Sequence, residues 1–310
     1  MIVSLVICTK DRPCYLEKTL LNILENENNL AQIIIIDASQ SSKTKELVEA
    51  IKSKSGTQII YRNSSPGLPR QKNLGIEIAF MVNERVDAIT FLDDDILVAP
   101  DYFSQLQAFI NENSGWTAFT GVSSSNKRAK RSFLRRFFYL DSKKDASILK
   151  SGICTPIYSD TELLIAEWLP GASMTINPKI LNFEKFNERI KIYYEDTEMS
   201  IRLNQHGPLY ICHRMKYEHS QAQIGHESTR DIIAFSDGAR WMLSRNHNND
   251  IQMFAVAWSI FGSSLKAALE LIVARKNLGK KEVLIGHLIF TTRLILRRNL
   301  VSFPNKNELS

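Results

Sequence analysis

The sequence predicts an α/β protein: an open, mixed, mostly parallel sheet flanked by helices, with an amphipathic helical appendage at its C-terminal end. Three observations carry that expectation. Strand-like and helix-like segments alternate strictly over roughly the first 100 residues, the pattern of parallel strands joined by right-handed helical crossovers. Three of the strand-like runs end in polar residues, at Thr9-Lys-Asp11, at Asp37 and at Asp93-Asp-Asp95. From Ile251 onward apolar residues recur at helical spacing.

Taken in order, Ile2 to Cys8 is a continuous β-branched and aliphatic run, as in a strand buried on both faces. Thr9 to Pro13 is a turn, and residues 15–24 carry apolar side chains at 16, 20, 21, 23 and 24, predicting a helix. Ile33 to Ile36 is a second strand, Thr44 to Ile51 a second helix and Gln58 to Tyr61 a third strand. A Ser-Ser-Pro-Gly-Leu-Pro loop precedes a helix over Gln71 to Met81. A strand then leads to the three acids and a turn through Ala99-Pro100. Further on, the alternation fades. A helix is expected over Tyr102 to Ile110 and a strand over Trp116 to Val122, and Glu167 to Asn177 reads as a turn entering another strand. Glu195, Asp196 and Glu198 open a predicted helix behind Tyr193-Tyr194, which suggest a pocket wall, and the last strand runs from Tyr210 to Tyr217. Two helices complete the chain, the second bearing Leu284, Leu288, Phe290 and Leu294 beside Arg293, Arg297 and Arg298.

A chain of 310 residues with 44% hydrophobic and 23% charged residues has room for one large ordered domain with an appendage. Cys8, Cys14, Cys154 and Cys212 are scattered without Cys-x-x-Cys spacing, which disfavours a zinc ribbon or a disulfide framework and fits a reducing compartment. No basic segment precedes the first apolar run, so it is not expected to be a signal peptide. The longest uncharged apolar run in the C-terminal part covers 15 residues, Ile251 to Leu265, short of the ~18 a membrane span needs, and none is expected. The net charge of +6 is concentrated. Lys127 to Lys150 holds nine basic and two acidic residues, and Ile251 to Ser310 nine and three, so the rest of the chain carries −7. An acidic body with two basic segments suits an anionic surface better than nucleic acid. The Lys127–Lys150 segment, with Phe133, Phe137, Phe138 and Tyr139 among its arginines, reads as an exposed loop or helix whose aromatics pack on the body, as a mobile flap or as a membrane-contacting element. The terminal helices read as a packed hairpin, a dimer contact or, preferred here, interfacial membrane helices.

Asp93, Asp94 and Asp95 repel one another and lose hydration at a buried strand end, so a positive partner must offset them. A divalent cation with oxygen ligands is the natural candidate. Alone, the triplet is better read as a solvated acidic loop. Polar residues from two further strands at the same sheet edge, where open α/β sheets bind ligands, shift the balance towards a nucleotide-type pocket. The first strand-to-helix turn has neither Gly-x-Gly-x-x-Gly nor P-loop glycines, which disfavours a dinucleotide fold. His219, at the end of the last strand, is a candidate metal ligand; acids opening the helix at Glu195 are also explained by the helix dipole.

Four motifs run in one order from Val3 to His219, roughly two-thirds of the chain: Val3-Ser-Leu-Val-Ile-Cys-Thr-Lys-Asp-Arg-Pro13; Ile33-Ile-Ile-Ile-Asp-Ala-Ser39; Gly67-Leu-Pro-Arg-Gln-Lys-Asn-Leu-Gly75 with Phe91-Leu-Asp-Asp-Asp95; and Glu195-Asp-Thr-Glu198 before a helix. Together they resemble the inverting nucleotide-sugar transferases of glycosyltransferase family 2, which have the GT-A fold. The resemblance implies that Thr9, Asp11 and Asp37 hold the base and ribose, with Asp93 and Asp94 also facing the nucleotide. It implies Mg²⁺ or Mn²⁺ on Asp95, with His219 beside it. Lys72 stands where the family has Arg; it can offset phosphate charge but lacks the bidentate fork. Trp168 to Ser173, including Gly171, resembles the acceptor-side loop, with Glu195 beside it. Asp196 is implied as the general base. The expected organisation is a GT-A catalytic domain over 1–235, its nucleotide-binding half about 1–100 and acceptor half about 101–235, then a basic helical region over 236–310. The expected partners are a nucleotide-sugar donor, a glycan or lipid-linked sugar acceptor and a membrane surface, without nucleic acid. The expected location is the cytoplasm, peripheral on the inner face of the cell membrane, in cell-surface polysaccharide or glycolipid assembly. Sugar nucleotidyltransferases are the rival enzyme class, but they need a glycine-rich loop that Thr9 to Pro13 lacks. A non-catalytic nucleotide-sugar binding protein is the other rival.

Overall fold

The computed structural model describes residues 2–26, 30–124, 132–158, 161–190, 193–220, 228–274, 278–296, 298 and 300. The chain divides into two compact units. The first comprises Met1–Lys127, Tyr158–Glu188 and Glu195–Ala222; the second comprises Arg128–Ile157, Arg189–Tyr194 and Gln223–Ser310.

The first unit begins with the expected alternation: β1 (Val3–Thr9), α1 (Pro13–Asn26), β2 (Leu30–Asp37), α2 (Lys43–Lys52), β3 (Gln58–Asn63), α3 (Leu68–Val82) and β4 (Ala88–Asp93). It continues through β5 (Ile96–Val98), α4 (Tyr102–Glu112) and β6 (Ala118–Ser123). In the second unit, α5 spans Phe133–Phe137. Back in the first follow β7 (Leu163–Ala166), β8 (Ser173–Ile176), α6 (Pro178–Leu181), α7 (Glu195–Leu203) and β9 (Leu209–His219). Among the described residues these strands form one nine-stranded sheet, ordered β3-β2-β1-β4-β8-β6-β9-β5, with β7 also on β9. β1 to β4 run parallel, β8 is antiparallel between β4 and β6, and β9 is parallel to β6.

The apolar runs explain the layers. Leu5, Ile7, Ile33 and Ile35 are fully buried in a cluster with Leu16, Leu20 and Ile23, the inner face of α1. On the other face α3 packs against β1 so tightly that a Cβ at Gly75 would lie 2.4 Å from Val6 Cγ1. β5 and β7 lie outside the sequence expectations because three and four residues carry no usable periodicity.

The second unit contains α8 (Thr229–Asn246), α9 (Met253–Ala274) and α10 (Leu278–Ile295). Helix α8 has no counterpart in the sequence reading; Ser228 caps it by accepting a hydrogen bond from the Asp231 N–H. Inside the bundle Asp237 accepts hydrogen bonds from Arg240 and His287, and Arg240 also donates to Ser259. Buried polar groups are thereby satisfied. Tyr193 and Tyr194, expected at a pocket wall, belong to this unit and pack on Phe235 and Ala239. Among the described residues one segment, Met253–Ile272, is long and apolar enough to cross a membrane by length and composition, with a third of it buried. The sequence criterion missed it by counting only uncharged runs; Lys266, which breaks the run, lies 3.8 Å from Glu270 one turn on. All four cysteines are free, and burial pushes the Cys8 thiol up.

Candidate functional site

β4 ends at Asp93, and β5 begins three residues later, so the carboxylates occupy the bend between them. β5 pairs antiparallel with the end of β9, Ile96 opposite His219. That register brings an imidazole from a distant stretch of chain to the acids: His219 Nε2 lies 3.1 Å from Asp95 Oδ1. One ligand atom each from Asp93, Asp95 and His219 fall within 4.8 Å of one another. The hydrogen bond to Asp95 raises the His219 pKa. Burial raises that of Asp93, with the negative charge of Asp95 adding to it and Lys72 opposing it.

Asp94 takes a different position. It is fully buried, accepts a hydrogen bond from Thr9 Oγ1 at 2.6 Å and pairs with Arg12 at 2.7 Å. Its backbone carbonyl accepts from Thr19 Oγ1 on α1. Burial still pushes its carboxyl up to about 7, against the pull of Arg12 and Thr9. Part of the positive charge demanded by three adjacent acids therefore comes from the protein, since Arg12 also reaches to 3.9 Å from Asp95. Arg12 was absent from the expected site, although the cost of clustering the acids was the signal that could have found it.

On the neighbouring strand Asp37 is buried and accepts from the Ser39 N–H and hydroxyl and from the Tyr61 hydroxyl. Asp11 is exposed, has a left-handed φ of 56° and donates its N–H to Ser39 Oγ. Such a conformation at a strand-to-helix turn is held by its surroundings. Of the residues expected around the nucleotide, then, Thr9, Asp37 and Asp94 have buried side chains engaged by protein partners, and Asp11 faces out.

The third group lies where α3, α7 and the loop before β8 meet. Lys72, 2% exposed, donates to Glu195 Oε1 at 3.2 Å, with its ammonium 5.0 Å from the Phe186 ring centroid. The residue expected to offset phosphate charge is paired with Glu195 in this structure. Burial works to lower its pKa, but Glu195, Asp93 and Asp196 together raise it. Asp196 accepts hydrogen bonds from the N–H groups of Gly171 at 3.0 Å and Thr197 at 2.7 Å. Burial and the neighbouring Glu195 push its carboxyl up to about 6, while Lys72 and the two N–H groups pull it down. Gly171 leaves little room for a side chain: a Cβ there would sit 3.2 Å from both Asp196 Cβ and Lys72 Nζ. Trp168 is half-buried in the same loop.

The structure therefore brings Asp93, Asp95 and His219 into one cluster, and Lys72, Gly171, Glu195 and Asp196 into another. A cavity of about 760 Å³ lies elsewhere, along β3, α2 and α3, and contains none of these residues.

Residues 4–161 match the family model described as Glycosyl transferase family 2. An uncharacterized glycosyltransferase of Haemophilus influenzae is 26% identical over 113 residues, 36% of this chain and 43% of that relative's length. Among solved structures, the mannosyltransferase PcManGT from Pyrobaculum calidifontis, in complex with GDP-Man and Mn²⁺, is similar with a TM-score of 0.60. Its identity is 10%, over 95% of this chain and 87% of that one. S. aureus TarS 1–349 has a TM-score of 0.50 and 13% identity, over 95% of this chain and 92% of that one. A longer TarS chain is covered to 55% of its length.

Proposed function

The chain belongs to glycosyl transferase family 2, and from that premise we propose that it is an inverting glycosyltransferase using a nucleoside diphosphate sugar. The observation that carries this reading is the pair of clusters in one unit: Asp93, Asp95 and His219 beside the end of β4, and Asp196 on the first turn of α7. Two carboxylates and an imidazole within 4.8 Å of one another fit a hexacoordinate divalent ion such as Mg²⁺ or Mn²⁺. When bound there, such an ion neutralises charge that develops on a departing diphosphate. The Mn²⁺ and GDP-Man in the similar mannosyltransferase support this choice of ion and donor class.

The remaining chemistry falls to side chains. An acceptor hydroxyl is a weak nucleophile until its proton is removed, and Asp196, pushed up to about 6, is ionised at neutral pH yet basic enough to take it. As that proton moves, the acceptor oxygen bonds to the anomeric carbon and the bond to the diphosphate breaks, inverting the centre. The N–H groups of Gly171 and Thr197 orient the base, and Lys72 holds Glu195 beside it. Thr9, Asp37 and Asp94 serve the donor by bracing the loops around Asp11 and Arg12. The acceptor is proposed to be a glycan or lipid-linked sugar in cell-envelope assembly.

The test is a thermal-shift screen of nucleotide sugars with and without Mn²⁺, since a ligand that binds the native state raises its melting temperature. The reading predicts one donor whose shift depends on Mn²⁺ and disappears in Asp95→Ala. Equal shifts in that variant would remove the proposed metal site.

A further inference from the structure

Helix α9 presents an apolar stripe outward. Phe254, Trp258, Phe261, Leu265, Leu269 and Ile272 follow one another at intervals of three or four residues, and so share one face over about five turns. Apart from the half-buried Trp258 all are exposed, between 40% at Leu265 and 75% at Ile272. The opposite face, with Ala255, Val256, Ser259 and Ala267, is buried, and α9 packs on α8 and α10. Apolar residues scattered singly on a surface are ordinary; a continuous stripe is an interaction site.

Helix α5 extends it. Phe138, just after α5, fills the notch at Gly262 on α9, where a Cβ would lie 2.2 Å from its ring. Phe137 and Phe138 both contact Trp258, whose indole N–H donates to the Phe137 carbonyl. So anchored, α5 leaves Phe133 (76% exposed), Leu134 and Phe137 pointing outward with Arg135 and Arg136 among them, and Lys143 and Lys144 are exposed shortly after.

We propose that the outer face of α9 together with α5 docks on an anionic lipid bilayer, α9 lying in the plane of the interface. Three properties select this occupant. The face is aromatic and aliphatic at its centre and basic at its flank, complementary to both the acyl boundary and acidic headgroups. The segment Lys127 to Lys150 carries a net +7 in a chain whose remainder outside the two basic segments is acidic. Finally, α9 is one-sided: Ser259, Lys266 and Glu270 share the side of the helix away from the stripe, and the helix is committed to α8 and α10, whereas a helix spanning lipid alone is apolar all round. This deepens the reading of a membrane-proximal acceptor but is tested without substrate, so it can fail while the transferase reading stands.

The experiment is flotation of the full-length protein with phosphatidylcholine vesicles, with and without phosphatidylglycerol, followed by alkaline carbonate washing. The expected result is binding that needs phosphatidylglycerol, weakens with salt and is reversed by carbonate. Replacing Phe254 and Phe261, or Phe133 and Leu134, by Gln should lower binding about tenfold or more, with unchanged circular dichroism. Absence of binding to either vesicle would overturn the proposal. So would resistance to carbonate, the mark of a spanning helix, or a dimer in light scattering that the Gln variants convert to monomer, the mark of a second copy on the stripe.

Discussion

Lys72 holds one ammonium against Glu195 and beside Gly171, with Asp93 and Asp196 both near enough to raise its pKa. Its removal leaves Glu195 buried without a counter-charge, which costs about 3–5 kcal/mol for a buried pair broken on one side. Lys72→Met should therefore lower the denaturation midpoint. It should also shift the acidic limb of the kcat profile to higher pH, because Lys72 is one of the groups holding the Asp196 pKa down. An unshifted limb would separate Lys72 from Asp196. For the wild type, activity should fall as pH drops through about 6, where Asp196 takes up its proton. The stability effect has the opposite sense. A carboxyl whose folded pKa is raised binds a proton in the native state that the unfolded chain has already lost, so this group's contribution declines as pH rises from about 4 to about 6 and is flat above. Asp196→Asn removes both trends; it should cut turnover about 10²- to 10⁴-fold while leaving the donor's thermal shift in place.

Among the elements, α3 and β5 set the geometry. α3 sits close to β1 because position 75 has no side chain: Gly75→Ala would press its Cβ on Val6, which is itself fully buried. The helix must then move off the sheet, carrying Lys72 with it, and overpacking of this kind costs about 1–3 kcal/mol. Urea denaturation should show that loss, together with a larger fall in kcat than in donor binding. β5 acts through its pairing: three residues against β9 suffice to place His219 on Asp95. His219→Gln should weaken Mn²⁺ binding, read by titration in the absence of sugar, with little change in the denaturation midpoint.

On the scale of the molecule, charge is divided. Asp11, Asp37, Asp93, Asp94 and Asp95 lie at or just past the carboxyl ends of parallel strands, while the segments Lys127–Lys150 and Ile251–Ser310 together hold eighteen basic residues against five acidic ones. A divalent ion and its diphosphate suit the first region, and an anionic bilayer suits the second. Removing divalent ions with EDTA should therefore abolish the donor's thermal shift but leave vesicle binding intact. Loss of both together would join what the charge distribution keeps apart.

Apart from the three-residue β5, the order of strands and helices through α4 was legible in the sequence because long buried runs and helical spacing are local signals. So were the acids at the end of β4 and the opening turn of α7. Contacts between distant residues were not. Arg12 reaches Asp94 and Lys72 finds Glu195 across 82 and 123 positions of chain, and only the family resemblance set His219 beside Asp95, 124 positions away. The stripe on α9 was readable as amphipathic, but its outward direction was not, because which face is buried depends on where α8 and α10 pack. Sequence by itself determined the alternating elements, the carboxylates and the uneven charge, all properties of neighbouring residues. Only the tertiary structure decided which carboxylates stand together, which are neutralised from within and which apolar face is left exposed, because these depend on long-range packing and on the loss of water at particular atoms.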